Sequence, residues 1–176
     1  MIRPCTPDEL DDICAVINDA AIAYRGVIAE DRWHDPYMSE EELRREMDHG
    51  VLFWGSFEAE RLLAVMGLQE VGDVTLIRHA YTRTANRGTG IGSALLNHLR
   101  SQTDRPMLVG TWDAATWAVA FYESRGFQLV DAPRKDDLLR QYWTIPERQI
   151  EESVVLADAR WLATSATHDT IGSLED

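Results

Sequence analysis

A chain of 176 residues with 45% hydrophobic content is long enough to bury a sizeable core and reads as one compact domain. Its formal net charge of −13 leaves no basic stripe with which to displace counterions from nucleic acid. No apolar run reaches bilayer length, Met1-Ile2-Arg3-Pro4-Cys5 carries no signal-type stretch, and two cysteines suit reduced, buried thiols. A cytoplasmic protein that binds neither nucleic acid nor membrane is expected.

Ile2-Arg3 reads as a short first strand. Thr6 caps a helix, with Pro7 in its first turn and Glu9 three residues after the cap. Leu10, Ile13, Cys14, Ile17, Ala21 and Tyr24 follow at helical spacing and give it one apolar face. Residues 26–38 have no such period and read as a long loop. Ser39 to Glu42 is a second capping box, opening a helix with Leu43 and Met47 inward that stops at Gly50. Three β-rich runs, Val51 to Phe57, Arg61 to Gln69 and Val74 to Thr82, then form an antiparallel meander. A helix with Ile91, Leu95 and Leu99 in step follows, and Met107 to Trp112 is a strand. Ala115 to Arg125 is helical and ends on Gly126 as a left-handed cap, with Phe127 to Val130 the next strand. Arg134 to Arg140 reads as helical and Gln149 to Leu156 as a last strand. The predicted order is β-α-α-β-β-β-α-β-α-β-β, a mixed α/β sheet. Residues 1–158 form the domain, and 159–176 are a polar tail whose Trp161 docks either on the body or on a second copy, so a homodimer stays open.

The most informative stretch is Arg87-Gly88-Thr89-Gly90-Ile91-Gly92-Ser93, between the third meander strand and a helix. Three alternate glycines let backbone N–H groups close around an anion, and the positive end of the helix dipole lies at the same point. A plain tight turn is the alternative, but glycines at a helix start weaken the helix unless a ligand offsets the loss. No lysine follows to make a nucleoside triphosphate loop. The dinucleotide fingerprint is also a poor fit, because a meander rather than a βαβ unit precedes the loop.

Arg87-x-x-Gly90-x-Gly92 after a meander strand, followed by strand, helix and Phe121-Tyr122-Glu123-Ser124-Arg125-Gly126-Phe127, resembles the GNAT superfamily of acyl-CoA-dependent N-acyltransferases. The resemblance runs from the first strand to about Asp158 and is strongest from Ala80 to Phe127. It implies a GNAT fold with a splayed central mixed sheet and acetyl-CoA as acyl donor. The pyrophosphate would then lie on the backbone from Gly88 to Ser93. Arg87 is either a phosphate partner or a solvated charge. The strand before the loop carries a bulge in the family, so pantetheine would bond to the backbone of Ala80, Tyr81 and Thr82, where an N–H also polarises the thioester carbonyl. Tyr122 corresponds to the tyrosine that protonates the departing thiolate; a core aromatic is the alternative. The family's cofactor-contacting asparagine, seven residues earlier, is here Ala115, with Thr111 or Asp113 as substitutes.

On the strand Val74 to Thr82, alternation puts Thr75, Ile77, His79 and Tyr81 on one face and Leu76, Arg78 and Ala80 on the other. His79 has the right ordinary pKa for a general base, with a packed or surface histidine as the alternative. Glu70 and Asp113 can relay through water, and an acceptor arriving neutral needs no base. The family builds its acceptor site from the segment between the first two helices. Here Trp33, His34, Tyr37 and Met38 stand among Glu30, Asp31, Arg32 and Asp35, which suits a lid over a small molecule. Carboxylates such as Glu30 can orient an amine, while Arg32 and Arg78 can hold a carboxylate or phosphonate. The alternative makes Trp33 and Tyr37 loop anchors. Five histidines and two cysteines show no metal-ligand spacing. The function read from this is acetyl transfer to the primary amine of a small molecule. A non-catalytic acyl-CoA-binding module and a protein N-acetyltransferase are the rival readings.

Overall fold

The computed structural model describes residues 1–172, with side chains described through 165. The chain packs as two compact units, Met1–Glu70 with Ile77–Asp104, and Val71–Leu76 with the chain from Arg105 onward.

In the first unit, β1 (Ile2–Pro4) pairs antiparallel with β2 (Leu52–Glu58), which pairs antiparallel with β3 (Arg61–Val71); β4 (Val74–Thr82) comes next in strand order. Strand β2 turns Phe53, Gly55 and Phe57 inward, the alternation a half-buried strand requires. Gly55 is tightly enclosed: a Cβ there would stand 2.5 Å from Leu62 Cδ1 and 2.6 Å from Phe57 Cε2, so these side chains would have to shift to admit one. On this sheet lie α1 (Leu10–Ala21) and α2 (Glu40–Asp48). Leu10, Ile13, Cys14 and Ile17 of α1, with Leu43 of α2, join Phe53, Phe57, Leu62 and Val65 in one core cluster. The α2 capping box forms as its sequence predicts, Ser39 N–H donating to Glu42 (2.9 Å) and Glu42 N–H to Ser39 Oγ (3.2 Å). The first predicted helix begins as a 3-10 turn over Pro7–Glu9 and ends in another over Ile22–Tyr24. The unit closes with α3 (Ile91–Arg100), whose Leu95, Leu96 and Leu99 are buried.

In the second unit the strand order is β5 (Met107–Trp112), β7 (Ser153–Ala157), β6 (Gln128–Leu129), with β7 central and antiparallel to both neighbours. Helices α4 (Thr116–Glu123), α5 (Ala132–Tyr142), α6 (Glu147–Glu151) and α7 (Ala159–Gly172) complete it. Two readings of the sequence need correction here. The predicted last strand over 149–156 is a helix in its first part: Pro146 stands at the N-cap of α6, and strand begins only at Ser153. The segment taken as polar tail carries α7. Its first turn is held by the buried Asp158 carboxylate, which accepts from Trp161 N–H and from Met107 N–H, both at 3.1 Å. Trp161 is 8% exposed and packs with Leu108, Leu138, Leu139 and Val155; the last four residues lie outside the described chain. Among the described residues, no helix is long and apolar enough to cross a membrane, and no group of three His, Cys, Asp or Glu side chains is placed to hold a metal.

Candidate active site

The glycine loop enters α3 through left-handed backbone, with φ of 75° at Gly88 and 84° at Gly90, which serves as the helix N-cap. A side chain is strained at both positions, although open space lies where each Cβ would be. No side chain caps α3 and no acidic residue stands in its first turn, whereas α2 has both a capping box and Glu40, Glu41 and Glu42. A helix start without a built-in negative partner, reached over exposed glycines, fits the pyrophosphate of an acyl-CoA. Thr89, Gly90, Ile91, Gly92 and Ser93 all lie on this short path. Arg87 is committed on another side, its Nη2 donating to the Ala20 carbonyl at 2.8 Å. Beside it, Thr84 N–H donates to Asp19 Oδ2 at 2.6 Å.

The 26–38 loop is fastened at several points. Trp33 Nε1 donates to the Ala21 carbonyl at 3.0 Å, and the Arg25 guanidinium lies 4.2 Å from the Trp33 ring centre. Asn18, which the sequence reading passed over, clamps the end of the loop through both its amide atoms, to Met38 O (2.9 Å) and Met38 N–H (2.8 Å). The Tyr37 ring lies 5.6 Å from Tyr24 and 6.2 Å from His34, and Tyr24 meets Tyr81 edge-on at 6.3 Å. Burial, reinforced by the Tyr24 and Tyr37 hydroxyls, pushes the Tyr81 phenol well above its ordinary value, so it stays protonated at neutral pH. Glu30 and His34 are exposed.

Strand β4 departs from simple alternation. His79 has φ of 50°, a left-handed residue inside a strand, at the place where the resemblance implies a bulge. Arg78 and His79 therefore turn to the same partner: Arg78 Nη2 stands 2.7 Å and His79 Nε2 3.1 Å from Glu46 Oε2. Arg78 Nη1 also donates to Gln69 Oε1 at 2.7 Å. The Arg78 guanidinium is thus paired with Glu46 and Gln69 inside the protein. Burial pushes the Glu46 carboxyl up, but the His79 hydrogen bond and the Arg78 charge outweigh it and leave the group below its ordinary range. Ala80, Tyr81 and Thr82 follow the kink and are half-buried. Glu46 gave no motif in the sequence; its only signal was its place three residues after Leu43, toward the inner side of α2.

Two predicted site residues stand in the second unit. Ala115 is fully buried at the N-cap of α4. Tyr122 is 4% exposed, edge-on to Phe121 at 5.0 Å and to Phe127 at 5.5 Å. Gly126, with φ of 85°, ends α4 as its sequence predicts, and Phe127 N–H returns to the Tyr122 carbonyl at 3.1 Å.

A family model described as "Acetyltransferase (GNAT) domain" matches residues 15–142. Among solved structures, the PaiA N-acetyltransferase of Thermoplasma acidophilum, in complex with coenzyme A, superposes with a TM-score of 0.66 at 17% identity, over 90% of this chain and 97% of that one. An acetyltransferase of the GNAT family from Staphylococcus aureus gives 0.66 at 16% identity, over 90% and 97%. The ribosomal-protein-S18-alanine N-acetyltransferase of Escherichia coli gives 0.62 at 17%, over 90% and 92%. No curated protein matches the chain. The chain belongs to the GNAT acetyltransferase family. It is an acetyltransferase with the GNAT α/β fold, and acetyl-CoA is its acyl donor.

Proposed function

We propose that the enzyme moves the acetyl group to the primary amine of a small molecule, such as an amino acid or an analogue, by direct attack in a ternary complex. The observation that carries this reading is the fastened aromatic loop. Trp33 and Met38 tie it to α1 at two points, and Tyr37 meets Tyr24, which in turn meets Tyr81. A loop held in this way suits a covered pocket better than an open groove for a peptide. Glu30, at its surface, supplies a carboxylate for a cationic amine, while His34 and Tyr37 offer aromatic faces.

Acetyl-CoA supplies an activated acetyl thioester. Residues Gly88 to Ser93 bind its pyrophosphate, with the N–H groups at the start of α3 as donors, while Arg87 ties the loop to α1. The backbone of Ala80, Tyr81 and Thr82 orients the pantetheine arm and holds the negative carbonyl oxygen. His79 takes the proton released as the C–N bond forms, and Tyr122 gives a proton to the sulfur as the C–S bond breaks. Ala115 lines the cofactor side at the start of α4. The same reading keeps the protein in the cytoplasm. A protein acceptor is the second reading, favoured by the likeness to the ribosomal-protein acetyltransferase. Thiol release from acetyl-CoA, measured against free amino acids, their analogues, polyamines and N-terminal peptides, separates the two. Turnover with free amines supports the proposal; turnover with peptides alone overturns it.

A further inference from the structure

We propose that Glu46 is the positioning residue for His79. Its carboxylate holds Nε2–H, and so makes Nδ1 the nitrogen that accepts the proton of the amine. The inference deepens the reading of His79 as general base and rests on it.

Three elements build the cluster. Helix α2 supplies Glu46 in its last turn, β3 supplies Gln69, and β4 supplies Arg78 and His79. Both Arg78 Nη2 (2.7 Å) and His79 Nε2 (3.1 Å) meet the same oxygen, Oε2 of Glu46. Gln69 accepts from Arg78 and donates its own amide to the His49 carbonyl at 2.9 Å, so the guanidinium is fixed from behind. The carboxylate therefore has a permanent counter-charge in Arg78 and does not need a protonated imidazole for one. A neutral imidazole has one N–H and one lone pair. The ring nitrogen facing a carboxylate is the one that carries hydrogen, which leaves the lone pair on Nδ1. Phe53 lies nearly parallel to the ring at 5.9 Å and 28°, so one face is packed while one nitrogen is bonded. The left-handed backbone at His79 is what permits this arrangement. On an unbroken strand, neighbours 78 and 79 would point to opposite faces. Strain concentrated at a residue that is both ring-packed and hydrogen-bonded is the pattern of a side chain held for use.

The test combines histidine 15N NMR, read at alkaline pH where the ring is neutral, with steady-state kinetics. Wild-type protein should show His79 as the Nε2–H tautomer, and Glu46→Gln should convert it to a mixture. Glu46→Gln should lower kcat about 10-fold with the KM for acetyl-CoA within about twofold, and His79→Gln should lower kcat about 100-fold. The double variant should be no slower than His79→Gln alone, because the two residues act as one unit. An Nδ1–H tautomer in the wild-type protein overturns the proposal without any variant having to fold. Loss of turnover in His79→Gln, with unchanged turnover and tautomer in Glu46→Gln, overturns it and leaves the base reading standing. Wild-type kcat in His79→Gln removes the base reading, and the positioning role with it.

Discussion

Glu9 answers to two neighbours at once, Arg3 and Thr6. The Arg3 hydrogen bond, at 2.9 Å for one pair of atoms, is the largest influence on its carboxyl; partial burial opposes it, and Thr6 N–H adds to it. The result is a pKa drawn from the ordinary 4.5 down to about 2. A carboxyl lowered on folding stabilises the native state above its unfolded value, and that contribution fades as pH falls from about 4.5 toward 2. Urea melts between pH 7 and pH 3 should show Glu9→Gln with a flatter acid limb than wild type. Identical limbs would mean that the pair is solvated and contributes nothing. Tyr122 is tested by a single oxygen. Its ring is held by Phe121 and Phe127, so Tyr122→Phe keeps the packing. Turnover should fall roughly 10- to 100-fold while acetyl-CoA affinity, measured by calorimetry, barely changes. Wild-type turnover would make the ring a packing residue only.

Two helix starts make opposite statements. Helix α3 begins on left-handed Gly90 with no side-chain cap and no acid in its first turn. Gly90→Glu should abolish acetyl-CoA binding by placing a carboxylate where phosphate negative charge collects. Gly90→Ala separates charge from strain: it meets no atom within 4 Å, and at φ of 84° it should cost about 1–2 kcal/mol of stability. Binding by the alanine variant and none by the glutamate variant is the expected calorimetric result. Helix α7, in contrast, is capped from within by buried Asp158. Asp158→Ala orphans the amides of Met107 and Trp161 and should cost about 1–3 kcal/mol, read from the denaturant midpoint. A change below about 0.5 kcal/mol would show that water replaces the carboxylate there.

Across the molecule, what was legible was whatever local chemistry decides. The α1 and α2 stripes, the capping boxes, the meander and the left-handed stop at Gly126 each carry their signal within a few residues. Helix α6 was read as strand because Val154, Val155 and Leu156 lend their β character to the residues before them, although Pro146 marked a helix start. Helix α7 has little apolar periodicity; tertiary contacts of Trp161 and the Asp158 cap hold it, and neither is visible along the chain. Of the proposed site residues, the glycine loop and Tyr122 carry motifs along the chain. Glu46 does not, because its partners lie 32 and 33 residues away and because one left-handed residue reverses the parity of β4. One more feature links the parts that were readable. Ala20 and Ala21 are consecutive at the end of α1; the first carbonyl takes Arg87 from the glycine loop and the second takes Trp33 from the aromatic loop. The glycine loop and the aromatic loop thus hang from adjoining peptide groups; under the proposed function these serve donor and acceptor, so each ligand should sense whether the other is bound. Thermodynamic reciprocity demands that any gain in amine affinity caused by CoA equal the gain in CoA affinity caused by the amine. Arg87→Ala should shrink that mutual gain toward unity in paired titrations, whereas an undiminished gain would place the communication elsewhere.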